Sequence, residues 1–533
     1  MTHPRQQVGP EQATSEVTSA RGRYAALGAL CMAQLLVVLD NTIVNVALPS
    51  IGAELAADTS GLQWVVDAYT LTFAGLLLAW GSLGDRFGRR RVMLGGLFGV
   101  GIVSIAGALT HSIDTVIAVR AVMGLFAAAV FPATLALVVN IFPDRGERSR
   151  AIAAWSGVGG VAIALGPVSG GWLLEHFSWH SVFWINIPLS LVAVIAVAVF
   201  VPESRADTVK KFDYLGIFSS IIGVSLVVYS IIEGPHYGWW SFPTLLTALA
   251  GVFALSVFVY WELRTANPVL NLQLFRIRTF SLPAASIAIG YFAMFGFLFL
   301  TTQYFQGVRE FTPLEFGVAS LPFAGSILIG TPIAAASAQR LGPTPIIVSG
   351  LILTAIGFYL GGQMGIDGDY LTDIVPSMVC LGFGMGLVAG PATQSIMSPL
   401  ILDEAGAGAA VNDTTREVGG TLGVAVLGSI LASAYTTRID GALAAVPRGL
   451  MSDQEKDVAR ATVLSVVDIK NRSVPVGVET QRDSLVFAMK SAAIHGLHTA
   501  SIVATCAVIV CAIGVAVFMP WKLPHKDEFI AAR

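Results

Sequence analysis

Charge is scarce in this 533-residue sequence: Asp, Glu, Lys and Arg together make up 12% of it, against about a quarter in a soluble globular chain. The deficit excludes an ordinary soluble domain. The net charge of −3 is too small to attract nucleic acid or another strongly charged partner. Cysteine is nearly absent as well. Cys31, Cys380, Cys506 and Cys511 all lie in apolar segments and form no C-x-x-C pair, which excludes a disulfide framework and a zinc site. His495 and His498 stand three residues apart without a third ligand, so no metal is implied. A cleavable leader is not expected. The apolar run after Arg23 continues to Pro49, longer than a signal-peptide core, and no small-residue cleavage site ends it.

What fills the chain instead is apolar: 55% hydrophobic residues and a mean hydropathy of +0.73. This predicts an integral membrane protein. Windows long enough to cross a bilayer recur near 24–49, 61–83, 92–110, 115–142, 151–174, 181–201, 214–232, 242–261, 280–303, 316–337, 343–362, 374–398, 408–434 and 493–519. The expected fold is an all-α polytopic membrane protein with 14 transmembrane helices. With the N-terminus inside, Arg86, Arg89, Arg90, Arg91, Arg145, Arg148, Arg150, Arg205, Lys210, Lys211, Arg264, Arg276 and Arg278 all fall on the cytoplasmic side. The short outer connections carry almost no basic residues, Arg309 excepted. This asymmetry places both termini in the cytoplasm. One long outer segment, 435–490, contains "VARATVLSVVDI", read either as an amphipathic surface helix or as a covering loop.

The chain also repeats itself. Pro132-Ala133-Thr134, Asp144 and Gly159-Gly160 recur as Pro391-Ala392-Thr393, Asp403 and Gly419-Gly420, each set running from the end of one span into the next. Two six-helix halves follow, with the seventh and eighth spans inserted between them. The expected organisation is a tail 1–22, a first half 23–202, an insert with linkers 203–279, a second half 280–520 and a tail 521–533. Repeated halves facing a midplane site are the architecture of secondary transporters.

Several stretches, "GSLGDRFGRRR" (81–91), "RAVMGLFAAA" (120–129), "GVGGVAIALGPVSGG" (157–171) and "LDNTIVNVALP" (39–49) among them, resemble the signature motifs of the fourteen-spanner drug:proton antiporters of the major facilitator superfamily. "WVVDAYTL" (64–71), "FWINIP" (183–188), "DYLG" (213–216) and "REVGGTLG" (416–423) extend the resemblance over residues 24 to 519. One departure is Trp179-His180-Ser181, where that family usually has Trp-Arg-Trp; it puts packing at the outer end of the sixth span in question. The resemblance implies a major facilitator fold and proton-coupled export of lipophilic drugs or metabolites, cationic ones among them, across the plasma membrane by alternating access. It also implies that the acidic residue of the first-span motif and the arginine of the fourth-span motif serve coupling.

The residues themselves name candidates. Asp40 lies in an apolar span, with Arg120 as its expected partner at similar depth and Asp67 as competitor. Intramembrane charges are costly and commonly mark an ion or substrate path, although a static pair that fixes helix packing explains the same residues. In "NDTTREVGG", Asp413 and Glu417 share a helix face with Arg416 one turn away. Two such carboxylates are not both ionised in low dielectric, and Glu417 is the preferred proton carrier. Gln34, Asn41 and Asn45 form a polar stripe on the first span that faces either a cavity or another helix. Phe292, Phe295 and Phe299, with Gln303 beyond them, offer an aromatic surface for a lipophilic substrate or for packing alone. Gly166, Pro167, Gly170 and Gly171 make the fifth span thin and kinked, suited to a moving interface. Asp85, Arg86, Gly88 and Arg89 form a candidate latch at the cytoplasmic mouth.

The expected partners are therefore a small molecule, protons and the lipid bilayer, with no nucleic acid and no cofactor beyond the proton gradient. The chain is expected to act as a monomer in a bacterial plasma membrane. A dedicated metabolite exporter or a proton-coupled importer on the same fold is the alternative. An intramembrane enzyme using Asp40 or Glu417 finds no nucleophile or metal constellation to support it.

Overall fold

A computed structural model describes residues 20–205, 213–265, 268, 270, 272–397, 405–444, 446, 451–470 and 479–521. Most of both tails, Lys210, Lys211 and Asp403 lie outside the described residues.

Among the described residues, thirteen helices are long and apolar enough to cross a membrane, and the bent pair Thr59–Leu77 with Ala79–Phe87, taken as one span, makes a fourteenth. In the first half these are α1 (Ala20–Leu55), α2 (Thr59–Phe87), α3 (Arg89–Ala108), α4 (Ile113–Ile141), α5 (Arg145–His176) and α6 (Ser181–Phe200). The insert is α7 (Tyr214–Tyr237) and α8 (Phe242–Glu262). The second half comprises α9 (Arg278–Val308), α10 (Pro313–Leu341), α11 (Pro343–Gly362), α12 (Tyr370–Met397), α13 (Ala405–Ala444) and α14 (Glu479–Phe518). The predicted fold class and span count hold. The face carrying the Arg86–Arg91 connection is called the basic face below, and the opposite one the loop face.

The helices start where local chemistry satisfies their free N–H groups. Asp58, Ser112, Asp144, Asp213 and Ser241 each accept a backbone N–H at the head of α2, α4, α5, α7 and α8. Gly88, at φ 109°, makes the sharp corner between α2 and α3, a conformation that a β-carbon disfavours.

In each half the repeated threonine joins the fourth span to the fifth. Thr134 on α4 accepts a hydrogen bond from Trp155 Nε1 of α5 at 3.2 Å, and its counterpart Thr393 on α12 donates to Asn412 Oδ1 of α13 at 2.9 Å. Glycines let the first helix of each half approach the fifth. A Cβ on Gly166 would lie 2.0 Å from Thr42 Oγ1 of α1, and one on Gly423 would lie 2.2 Å from the Phe292 carbonyl oxygen of α9.

Two spans run past their apolar windows. The window for α13 stops near residue 434, yet the helix continues to Ala444 because Leu431, Tyr435, Ile439 and Leu443 keep a four-residue period and are all buried. At the other end, α14 begins at Glu479 rather than near 493. The long outer segment is correspondingly shorter than its expected 435–490. Its described part contains a helix, Asp453–Ala461, opened by a capping box between Ser452 and Glu455.

This segment bridges the halves on the loop face. Thr59 Oγ1 of α2 donates to the Ala461 carbonyl at 2.7 Å, and Tyr435 of α13 donates to that of Ala459 at 2.8 Å. Leu464 packs between Gly52 of α1 and Gly307 of α9. Of the two readings left open for "VARATVLSVVDI", the covering role matches this placement, with short helical turns rather than one amphipathic helix.

A charge cluster anchors the same segment. Glu310, at φ 58°, pairs with Lys470 at 2.5 Å and also with Lys490. Burial opposes the Glu310 charge, but hydrogen bonds from both lysines outweigh it and hold the carboxyl below the usual glutamate range. A carboxyl depressed in this way contributes stability at pH above its unfolded value, about 4.3, and loses it as pH falls through the lower folded value. Glu310→Gln should therefore cost on the order of 1 kcal/mol at neutral pH, with the difference from wild type closing below about pH 4. Thermal unfolding in detergent across pH 3 to 7 measures this; a gap that is unchanged at acid pH contradicts it.

Candidate functional site

The first-half charges form a closed cluster. Arg120, 0% exposed, donates from Nη1 to Asp40 Oδ2 at 2.7 Å, and Asp40 is 1% exposed. Asn186 Nδ2 donates to the other Asp40 oxygen at 2.6 Å, and Arg120 Nε donates to the Val65 carbonyl at 3.1 Å. The guanidinium lies 4.1 Å from the centroid of the Tyr69 ring, a cation–π contact worth more once desolvated. Asp40 thus finds the partner expected for it, plus one, Asn186, that the sequence reading did not single out. The signal for Asn186 was present in "FWINIP", and that for Tyr69 in "WVVDAYTL". The departure at Trp179-His180-Ser181 is accommodated: Trp179 is buried and stacks on His180 at 3.8 Å, whose Nε2 lies 3.0 Å from the Thr110 carbonyl oxygen.

Asp67 is not part of this cluster. It is 0% exposed, and neither carboxylate oxygen has a hydrogen-bond partner. Gln63, Asp67 and Thr70 are spaced four and three apart on α2, so they share one face. That face meets α13: Gln63 Nε2 donates to the carbonyls of Val424 and Ala425 at 3.0 and 2.9 Å, and Thr421 Oγ1 bonds Thr70 Oγ1 at 2.9 Å. Asp67 therefore sits in the buried seam between the halves. The polar side chains that clasp this seam were not foreseen, because a lone Gln or Thr in an apolar span carries no pattern.

Glu417 occupies the same stripe of α13, one turn before Thr421 toward the basic face, and is 8% exposed. Its Oε2 has no partner. Beside it Arg416 lies 4.7 Å from the Tyr291 ring centroid, and Asp413 accepts from Asn412 at 3.0 Å. The Thr70–Thr421 bond divides these two carboxyls, with Asp67 on the loop-face side and Glu417 on the basic-face side.

The remaining candidates fall in separate places. Gln34 and Asn45 are buried, and Asn41 is half-buried; Gln34 Oε1 and Asn41 Oδ1 lack partners, while Asn45 Nδ2 donates to the Asn41 carbonyl at 3.0 Å. Phe292, Phe295 and Phe299 are buried, with Phe295 and Phe299 against Gly420 and Gly428 of α13. Gln303 is buried with Nε2 unpartnered at the start of a π-helical turn. Gly166 and Gly170 abut α1, whereas Gly171 faces the other half: a Cβ there would lie 2.5 Å from the Pro313 carbonyl oxygen, and one on Gly317 would lie 2.4 Å from that of Pro167.

The candidate latch is held within its own half. Arg89 pairs with Asp85 at 2.8 Å, and Glu203 accepts from the Arg90 amide at 3.1 Å and lies 3.6 Å from Arg91. Arg86 is exposed over the Phe87 ring. Among the described residues, the hydrogen bonds that join the two halves are at mid-depth or toward the loop face; besides those above, Gln306 Nε2 donates to the Val46 carbonyl at 3.0 Å. This conformation is closed on the loop face.

The model of the Major Facilitator Superfamily matches residues 30–424. The chain belongs to the Major Facilitator Superfamily. Among curated proteins, it is 34% identical over 415 residues to multidrug resistance protein Stp of Mycobacterium tuberculosis, covering 78% of this chain and 76% of that one. It is 32% identical over 502 residues to multidrug efflux pump LfrA of Mycolicibacterium smegmatis, covering 92% and 96%. To the tetracenomycin C resistance and export protein of Streptomyces glaucescens it is 35% identical, covering 79% and 78%. Among solved structures, a bacterial homolog to the human lysosomal transporter Spinster, in an inward-facing and unoccupied conformation, shares the fold at a TM-score of 0.61. That match has 14% identity and covers 95% of this chain and 100% of the other. This superfamily member is a multi-pass plasma-membrane transporter and not an enzyme.

Within it, the Asp40–Arg120 pair is a structural liability once broken. Removing one member of a buried pair strands the other charge at a cost of about 3–5 kcal/mol. Arg120→Met should accordingly lower thermal stability sharply, and Asp40→Asn combined with Arg120→Met should recover most of the loss. Unfolding of the two single variants and the double in detergent measures the coupling; additive losses overturn it.

Proposed function

We propose that this protein is a proton-coupled antiporter that exports lipophilic small molecules, neutral or cationic, from the cytoplasm by alternating access. The reading places the basic face in the cytoplasm, following the arginine asymmetry of the connections, and takes one chain as the working unit because both halves lie within it.

The observation that carries this reading is the two buried carboxyls on either side of the Thr70–Thr421 bond, Asp67 with neither oxygen hydrogen-bonded and Glu417 with Oε2 unpaired. Burying a charged carboxylate without a hydrogen bond or counter-ion is very costly, so Asp67 is a group whose charge depends on whether the seam is open or closed. When α2 and α13 part on the loop face, water reaches Asp67 and the proton can leave or return from outside. Glu417, below the same bond, exchanges with the cytoplasmic side. Rocking of the halves thus links proton access to substrate access, which is the requirement for exchange. Asp40, already satisfied by Arg120 and Asn186, serves in this scheme as the electrostatic anchor of the first half. The names of the relatives support drug export: Stp, LfrA and the tetracenomycin C protein are called resistance or efflux proteins.

The test is transport of ethidium in proteoliposomes under an imposed pH gradient, with an internal pH dye reporting proton movement. Wild type should couple the two fluxes, and an uncoupler should abolish accumulation. Asp67→Asn and Glu417→Gln should each lose at least tenfold in gradient-driven flux. Undiminished coupling in both variants removes the proton-carrier assignment. Accumulation that ignores the uncoupler removes antiport altogether.

A further inference from the structure

An apolar cavity in the described structure lies away from Asp40 and away from the polar stripe of α1. It is a cavity of ≈ 260 Å³ in the basic-face half of the molecule, where α7 and α8 of the insert cover the seam between α2 and α13. We propose that this cavity is a second, lateral binding site for a small, neutral, lipophilic molecule with one hydrogen-bonding group. It deepens the exporter reading, on which it rests only for the idea that such a molecule is a substrate on its way in.

Three observations carry it. The first is the wall, built from Gly75, Ile221, Val224, Leu255, Thr414 and Val418 among others, which is apolar with a few hydroxyls, like small-molecule sites in general. Leu270 and Phe275, from the linker after α8, line the same cavity on its basic-face side. The lining residues include no Lys, Arg or His to hold a phosphate, so the occupant that fits is a compact neutral molecule rather than a phospholipid bound by its headgroup.

The second is Thr414. In a helix a threonine hydroxyl ordinarily bonds back to a carbonyl three or four residues earlier, as Thr421 does to Glu417 at 3.0 Å and Thr301 to Phe297 at 2.8 Å. Thr414 Oγ1 is buried and has no partner. A lone unpartnered hydroxyl in an apolar wall costs free energy that a ligand donor or acceptor restores.

The third is what the walls belong to. They come from the first half (α2), the second half (α9 and α13) and the insert. Toward the loop face the insert is stapled to both halves: Trp64 Nε1 of α2 donates to Glu233 of α7 at 3.0 Å, and Ser429 of α13 donates to the Ile231 carbonyl at 2.8 Å. Toward the basic face α2 bends by 50° between Leu77 and Ala79, beside the cavity. A Cβ on Gly75 would lie 2.5 Å from Ile221 Cγ1, so α7 touches α2 tightly at one level and leaves space around it. A site walled by both halves changes shape as they rock, and its occupant favours the state in which the cavity exists. Thr414, Val418 and Thr421 occupy successive turns of α13, and the neighbouring Asp413 and Glu417 lie on the adjoining face, so the occupant sits one helix wall from the carboxyls.

The test uses the full chain in phospholipid nanodiscs and N-phenyl-1-naphthylamine, a neutral apolar probe with one N–H, whose fluorescence rises in apolar sites. Val224→Trp fills the cavity, Thr414→Val removes the hydroxyl at nearly constant shape, and Val259→Trp on the exposed face of α8 is the control. Saturable binding above empty nanodiscs is expected for wild type and control. Val224→Trp should abolish one class of site, and Thr414→Val should weaken it about 3- to 10-fold. Wild-type binding by both variants, each monodisperse on size exclusion, overturns the proposal. So does native mass spectrometry showing a phospholipid held by wild type and lost in Val224→Trp while probe binding is unchanged, since the cavity is then a lipid site. Binding needs no proton gradient. Wild-type protein that binds the probe here yet carries no gradient-driven flux removes the exporter reading and leaves the site standing.

Discussion

A carboxyl group in the interior of a membrane protein must be paired, hydrogen-bonded or protonated, because a bare charge in low dielectric is too costly to keep. The arrangement of this transporter follows from how its intramembrane carboxyls meet that constraint differently. Asp40 is paired with Arg120 and bonded by Asn186. Asp67 has no partner in the seam between the halves. Glu417 has one oxygen free and lies where the seam is looser. The first choice ties α1, α4 and α6 into a rigid half. The other two place carboxyls at the contact between α2 and α13, where the halves meet; in the proposed function this is what links proton exchange to the movement of the halves.

Backbone proximity is the second requirement, and glycine meets it. Within each half, glycines on α5 or α13 bring that helix against α1 or α9 at a distance no side chain permits. Between the halves, Gly171 and Gly317 do the same for α5 and α10. Close-packed surfaces of this kind have few intermediate positions, so they favour two discrete arrangements over gradual deformation. The outer segment adds a further restraint by bonding α2, packing on α1 and α9, and pairing through Lys470 with Glu310. It must yield whenever the loop face opens.

Much of this was legible beforehand. Long apolar windows with basic residues on alternate connections specify spans, because a bilayer leaves a helix no other way to satisfy its backbone. The repeated Pro-Ala-Thr and Gly-Gly segments point to two halves, and the resemblance of the motifs to a known family pointed to the superfamily. Charged residues in apolar spans announce themselves by type alone, so Asp40, Arg120, Asp67 and Glu417 were all visible. The end of α13 and the start of α14 were not, because those turns carry polar and charged residues and fall below an apolar window while keeping helical period.

By itself, then, the sequence determined the number of spans, the two-half plan and which side chains are electrically expensive, since each depends on local composition or on a pattern within one helix. Only the tertiary structure decided which expensive groups are satisfied. Whether a carboxyl meets Arg120, meets nothing, or faces a clasp of Gln63 and Thr421 depends on helix rotation and contact across hundreds of residues. The lateral cavity is a tertiary property for the same reason: it is a volume left between five helices, and no single segment encodes a space.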